Sequence, residues 1–88
     1  MMKIKYEFAI SEVAGETVAI AVCAGKRNII VSLNSTAELL FGLLMEGTDM
    51  AALTSALMEN YEDLDEATAR ADAEEFVQAL REKELLEE

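Results

Sequence analysis

The sequence predicts an α+β, winged-helix-like domain: a three-stranded antiparallel sheet followed by a three-helix bundle, in the order β-β-β-α-α-α. Three observations carry this. Residues 4–33 alternate apolar and polar side chains in short runs broken by two glycine-containing turns, the pattern of half-buried strands. From residue 34 onward the apolar residues recur at helical spacing. Helix-start residues stand before each helical run, at Asn34-Ser35, Thr48-Asp49 and Asp65. Short connections between sequential strands give a meander, and helices joined by four or five residues give a compact helix-turn-helix arrangement.

Ile4, Tyr6, Phe8 and Ile10 alternate with Lys3, Lys5, Glu7 and Ser11, which predicts one long first strand. Val13-Ala14-Gly15-Glu16 is the turn. Thr17–Cys23 forms the second strand, with Val18, Ile20 and Val22 on one face and Thr17, Ala19, Ala21 and Cys23 on the other. Ala24-Gly25-Lys26-Arg27 turns the chain again. The third strand is Asn28-Ile29-Ile30-Val31-Ser32-Leu33, with Ile29, Val31 and Leu33 facing inward. Ile30 is the odd member, an apolar β-branched side chain on the face expected to be wet.

Asn34 or Ser35 caps the first helix, and Ser35-Thr36-Ala37-Glu38 matches a capping box. Leu39-Leu40-Phe41-Gly42-Leu43-Leu44-Met45 is apolar on nearly every side, so this helix is expected at the centre. Gly47 suits its C-terminal cap. Thr48 is expected to cap the second helix, with Asp49 at its positive end. Met50, Leu53, Leu57, Met58 and Tyr61 form the second helix's stripe. Asp65 caps the third helix, which is expected over about 66–83 with the stripe Ala69, Ala73, Phe76, Val77 and Leu80. Leu85-Leu86 is expected to fold back onto the core.

Eighty-eight residues make one domain, 1–88, and 52% apolar content supplies a core. The net charge is −11. It is uneven: residues 35–88 hold fifteen acidic side chains against Arg70, Arg81 and Lys83. Such a surface repels nucleic acid and anionic membrane. The third helix region alone, Asp65 to Lys83, holds six acids and three bases, the wrong sign for a helix lying in a DNA groove. A single cysteine, Cys23, excludes an internal disulfide, and there is no histidine. The N-terminus alternates and lacks a continuous apolar stretch, so neither a signal peptide nor a membrane span is expected. The expected compartment is the cytoplasm.

The sequence offers no catalytic set. Glu62-Asp63, Glu74-Glu75 and Glu87-Glu88 are adjacent pairs whose side chains diverge on a helix, unlike facing carboxylates. Asp63, Asp65 and Glu66 lack the calcium-loop spacing, and no phosphate-binding glycine loop is present. Cofactors and metals are therefore not expected.

A binding module remains. The third strand could be a sheet edge, whose free backbone groups accept an extended peptide. On the third helix Arg70, Glu74, Val77 and Arg81 fall along one flank of the core stripe, so a groove between helix and strand would present two cations. The alternative is that Ile30 packs under neighbouring chain and the arginines make ordinary i,i+4 pairs.

Several pieces in order resemble the PqqD family. Phe8–Gly15 (FAISEVAG) is followed by Glu16-Thr17-Val18. Leu33-Asn34-Ser35-Thr36-Ala37 leads into Leu39–Leu44. Gly47-Thr48, Leu53, Leu57 and Tyr61 come next, then Ala69, Asp72, Phe76-Val77, Leu80 and Leu85-Leu86. Phe41 stands where the family often has tryptophan. The resemblance implies a non-catalytic peptide chaperone that binds the leader of a ribosomally made precursor peptide. The leader would be presented to a radical S-adenosylmethionine (SAM) enzyme, as in pyrroloquinoline quinone (PQQ) biosynthesis. It further implies that the leader adds as a strand to Asn28, Ile29, Ile30, Val31, Ser32 and Leu33. The helix contacts would then be the geometric candidates Arg70, Glu74, Val77 and Arg81. Edge pairing also allows a homodimer. The rival function is a winged-helix protein-interaction or transcription-associated factor without strong DNA binding.

Overall fold

In the computed structural model, which describes residues 1–22 and 29–88, the switch of period at Leu33–Asn34 is the joint between sheet and helices. The elements are β1 (Lys3–Ile4), β2 (Phe8–Val13), β3 (Glu16–Ala21), β4 (Ile30–Leu33), α1 (Ser35–Glu46), α2 (Met50–Asn60), α3 (Glu66–Glu82) and β5 (Leu86–Glu87). β2, β3 and β4 form an antiparallel sheet in that order, and the three helices follow it, as the sequence predicts. Cys23, the second turn and Asn28 lie outside the described residues.

The long first strand is instead two pieces. Lys3–Ile4 leaves the meander and pairs antiparallel with Leu86–Glu87 at the other end of the chain. The Lys5 N–H donates to the Leu85 carbonyl (2.8 Å), which draws the two ends together. β2 and β3 are joined by Ala14 (φ 53°) and Gly15 (φ 82°). A two-residue loop with positive φ at both positions matches the twist of the flanking strands.

β3 buries its small-residue face. Ala19 is fully buried opposite Val31; on the other face Val18 is buried as well, while Ile20 and Val22 are exposed. Size explains which face packs on the core. Phe8 from β2 and Phe41 from α1 meet edge to face beneath the sheet, ring centroids 5.1 Å apart, and both are buried. Their bulk leaves room for alanine in the central strand, not for isoleucine.

α1 is the central helix. Leu40, Phe41 and Leu44 are buried and Leu39, Leu43 and Met45 are half-buried against the same core. Asn34 is its cap: Oδ1 accepts from the Ala37 N–H at 2.8 Å, so Ser35 is the first helical residue and the expected capping box does not form, since the N3 residue is Ala37. Asp49 caps α2 in the same way through the Ala52 N–H. Thr48, the expected cap, exchanges backbone hydrogen bonds with Met2 at 2.7 and 2.8 Å. Asp65 caps α3 through the Thr68 N–H. That bond to the carboxylate holds the Asp65 pKa below its ordinary value.

α3 ends in a Schellman motif. The Leu85 N–H donates to the Leu80 carbonyl and the Glu84 N–H to that of Arg81, with Glu84 at φ 59°. Leu80 and Leu85, the apolar pair of that motif, are both buried. The motif turns the chain inward, and it is why Leu85 packs onto the core.

Gly42 lies mid-helix, exposed, with no heavy atom within 4 Å of an added Cβ. Alanine there removes backbone entropy from the unfolded chain without a clash, so Gly42→Ala is expected to stabilise by about 0.4–1 kcal/mol. Thermal unfolding would show this as a Tm rise of about 2–8 °C. A fall would mean that this face of α1 is covered.

Candidate functional site

β4 pairs with β3 and, among the described residues, with no other strand. Its other side is a free edge. The ladder's parity says which backbone groups are free. The Ala21 N–H donates to the Ile29 carbonyl at 3.0 Å, and Ala19 faces Val31 and Thr17 faces Leu33 two and four residues on. Residues that bond to one neighbour alternate with residues that point away. Ile29, Val31 and Leu33 therefore spend their amides on β3. Ile30 and Ser32 present their N–H and C=O groups to the open side. The edge ends at Asn34, whose carbonyl already accepts from the Glu38 N–H.

The side chains divide in the same way. Val31 and Leu33 are buried and Ile29 packs against the core. Ile30 is 63% exposed, on the outer face as its position in the alternation predicts. It stands opposite Ile20, and Val22 is also exposed there. The outer sheet surface is thus apolar beside the free edge.

A concavity of about 390 Å³ opens where β4 ends. One wall is Asn34 with Thr36, Ala37 and Leu40 of α1. The other is Asp72, Glu75, Phe76 and Ala79 of α3. A second concavity, about 350 Å³, adjoins it through the shared residues Thr36 and Asp72 and continues to Tyr61, Glu62, Asp63 and Leu64. The Thr36 hydroxyl donates to the Tyr61 hydroxyl at 3.2 Å. Hydrogen bonding to Thr36, and then to Ser35, lowers the phenol's pKa.

The helix candidates fall elsewhere. Val77 is fully buried and belongs to the core. Arg70 lines a cleft against Met50, Thr54 and Met58 of α2 and pairs with Glu74 at 3.2 Å. Arg81 holds Glu88 through two hydrogen bonds, from Nε (3.1 Å) and from Nη2. That contact raises the arginine's pKa and lowers the carboxylate's. Arg70 and Arg81 thus line clefts shared with Met50 of α2. The flank beside the end of β4 carries Asp72, Phe76 and Ala79, so the groove there is acidic where two cations were expected.

No cluster of three or more His, Cys, Asp or Glu is placed to hold a metal ion among the described residues. No helix is long and apolar enough to cross a membrane among them either.

Fold and edge together define a small sheet-and-helix domain with an edge strand unpaired on one side among the described residues. The chain belongs to the PqqD family: the model of that family, described as coenzyme PQQ synthesis protein D, matches residues 13–86. Among solved structures the chain is similar to TbiB1 in complex with the TbiA(beta) leader peptide, at 27% identity and TM-score 0.73, covering 97% of this chain and 94% of that one. It also shares the fold of a lasso peptide synthetase B1 complexed with the leader peptide, at 22% identity and TM-score 0.74, covering 99% and 98%. Comparison with curated proteins gives no match.

Proposed function

We propose that this domain binds the leader of a ribosomally synthesised precursor peptide and presents it to a modifying enzyme, itself performing no chemistry. The observation that carries the reading is the free β4 edge, with the amides of Ile30 and Ser32 directed outward. The leader complex of its relative TbiB1 supports it. An extended peptide adding there forms up to four backbone hydrogen bonds. At a net ~0.5–1.5 kcal/mol each these supply about 2–6 kcal/mol, short of the ~8 kcal/mol of a micromolar complex. Side-chain contacts must add the rest, and the groove between α1 and α3 is where they are available. The site we propose is therefore the edge Ile29–Leu33, with Asn28 outside the described residues, together with Asp72, Phe76 and Ala79, in place of Arg70, Glu74, Val77 and Arg81.

The enzyme served is, on the family resemblance, a radical SAM protein, and the setting is the cytoplasm. The same edge could pair with a second copy, giving a homodimer that leader peptide would dissociate.

The test is an amide-shift titration of isotope-labelled protein with synthetic peptides covering the start of the short precursor-like reading frames beside its gene. Shifts at Ile30, Ser32 and Phe76 are expected. Saturable shifts confined to α2 would overturn the assignment. Ile30→Lys removes an apolar cross-strand partner worth up to ~1 kcal/mol, so leader binding should weaken about fivefold. Its Tm should hardly move, because Ile30 is exposed. Unfolding of this variant would mean that Ile30 belongs to the core.

A further inference from the structure

The groove beside β4 has a charge that says something about its occupant. Asp72 and Glu75 line its first part, and Glu62, Asp63 and again Asp72 line the second. Neither part is lined by lysine or arginine. The ion pairs among the described residues are Arg70–Glu74 and Arg81–Glu88, so none of these four carboxylates is in one. The floor is apolar: Leu40 is buried, and Ala37 and Phe76 are half-buried. A groove of one sign over low-dielectric walls focuses its field on whatever enters. An anionic segment would meet four like charges, and a purely apolar one would leave them without a counter-charge. A side chain with an aliphatic stem and a cationic head fits both the floor and the rim.

We infer that the peptide this chain recognises carries a lysine or arginine immediately N-terminal to its β4-paired segment, seated between α1 and α3 against Asp72 and Glu75. This rests on the strand-addition reading and deepens it. The order follows from direction. Every pairing in the β2-β3-β4 sheet is antiparallel. A peptide added in that sense begins beside Leu33–Asn34 and runs toward Ile30, so the residues before the paired segment reach the groove at Asn34. The basic residue sets specificity: a neutral analogue loses the attraction, and an acidic one meets repulsion at close range.

The experiment is selection of a displayed library of random 12-residue peptides on the intact protein, followed by affinity measurement of the recovered peptides. Lysine or arginine should be enriched several-fold in the two or three positions before an alternating apolar segment. The Asp72→Asn/Glu75→Gln variant should bind those peptides about tenfold more weakly. The variant Glu12→Gln/Glu59→Gln removes the same charge elsewhere and should bind within about twofold of the parent. Equal losses in both variants would overturn the proposal, since attraction would then be to the protein's net charge. Recovered peptides that shift the Ile30 and Ser32 amides yet lack the basic residue would overturn this inference and leave strand addition standing. Peptides that shift neither amide, or no recovered peptides at all, would overturn both.

Discussion

Phe41→Ala is expected to cost about 3–5 kcal/mol of stability, the range for deleting a buried phenylalanine. Phe41 is fully buried at the middle of α1 and its ring meets Phe8 edge to face at 5.1 Å. The loss therefore has two parts: the cavity left beneath the sheet and the aromatic contact that ties β2 to α1, worth ~0.5–1.5 kcal/mol on its own. A domain of 88 residues has a total stability of roughly 4–13 kcal/mol at typical per-residue values. The substitution removes between a quarter and all of it. Thermal melts should show a Tm lowered by at least about 12 °C, or a chain unfolded at room temperature. Phe41→Leu keeps most of the volume and should lose far less. A Tm within a few degrees of the parent for Phe41→Ala would show that the core is not organised around this ring.

The sheet's order, the helix starts and Ile30's exposure were legible in the sequence because each rests on a local rule. Period-two alternation placed Ile30 outward, and Asn34 and Asp65 announced caps. What escaped reading depended on neighbours far along the chain. A strand of two residues has no period, so the pairing of Lys3–Ile4 with Leu86–Glu87 left no signal. The sequence left both faces of β3 open to burial for a related reason. Ile20 and Val22 are the larger apolar residues, but the volume under the central strand is already taken by Phe8 and Phe41. Thr48 lost the cap to Asp49 because Met2, forty-six positions away, takes its backbone groups. On α3 the periodicity correctly placed Ala69, Ala73, Val77 and Leu80 inside. It gave two flanks of equal standing, and only the positions of α1 and α2 decide between them. Asp72 and Phe76 face α1, while Arg70 faces α2. The charge of the groove changed sign on that one choice.

The free edge itself is tested most sharply by removing one of its donors without touching a side-chain contact. Ser32→Pro does this. Proline has no N–H, and it is tolerated in edge strands where the N–H would face solvent. Ladder parity puts the Ser32 N–H on the open side of β4, so the β3 pairing through Val31 and Leu33 survives. The residue before proline is held in the extended region, which Val31 already occupies as part of β4. A docked peptide carbonyl would lose its partner and be left buried, at about 1–3 kcal/mol. Binding should fall about tenfold or more, with the fold retained by circular dichroism and amide dispersion. The matching change on the opposite edge is Glu12→Pro. The Val22 N–H donates to the Glu7 carbonyl, so Glu7, Ala9 and Ser11 face β3 and Glu12 points outward. That variant should leave peptide affinity unchanged. If Ser32→Pro is folded and binds as the parent does, no strand is added at β4 and the peptide is held by the groove alone. Should Glu12→Pro be the one that loses affinity, the docking edge is β2.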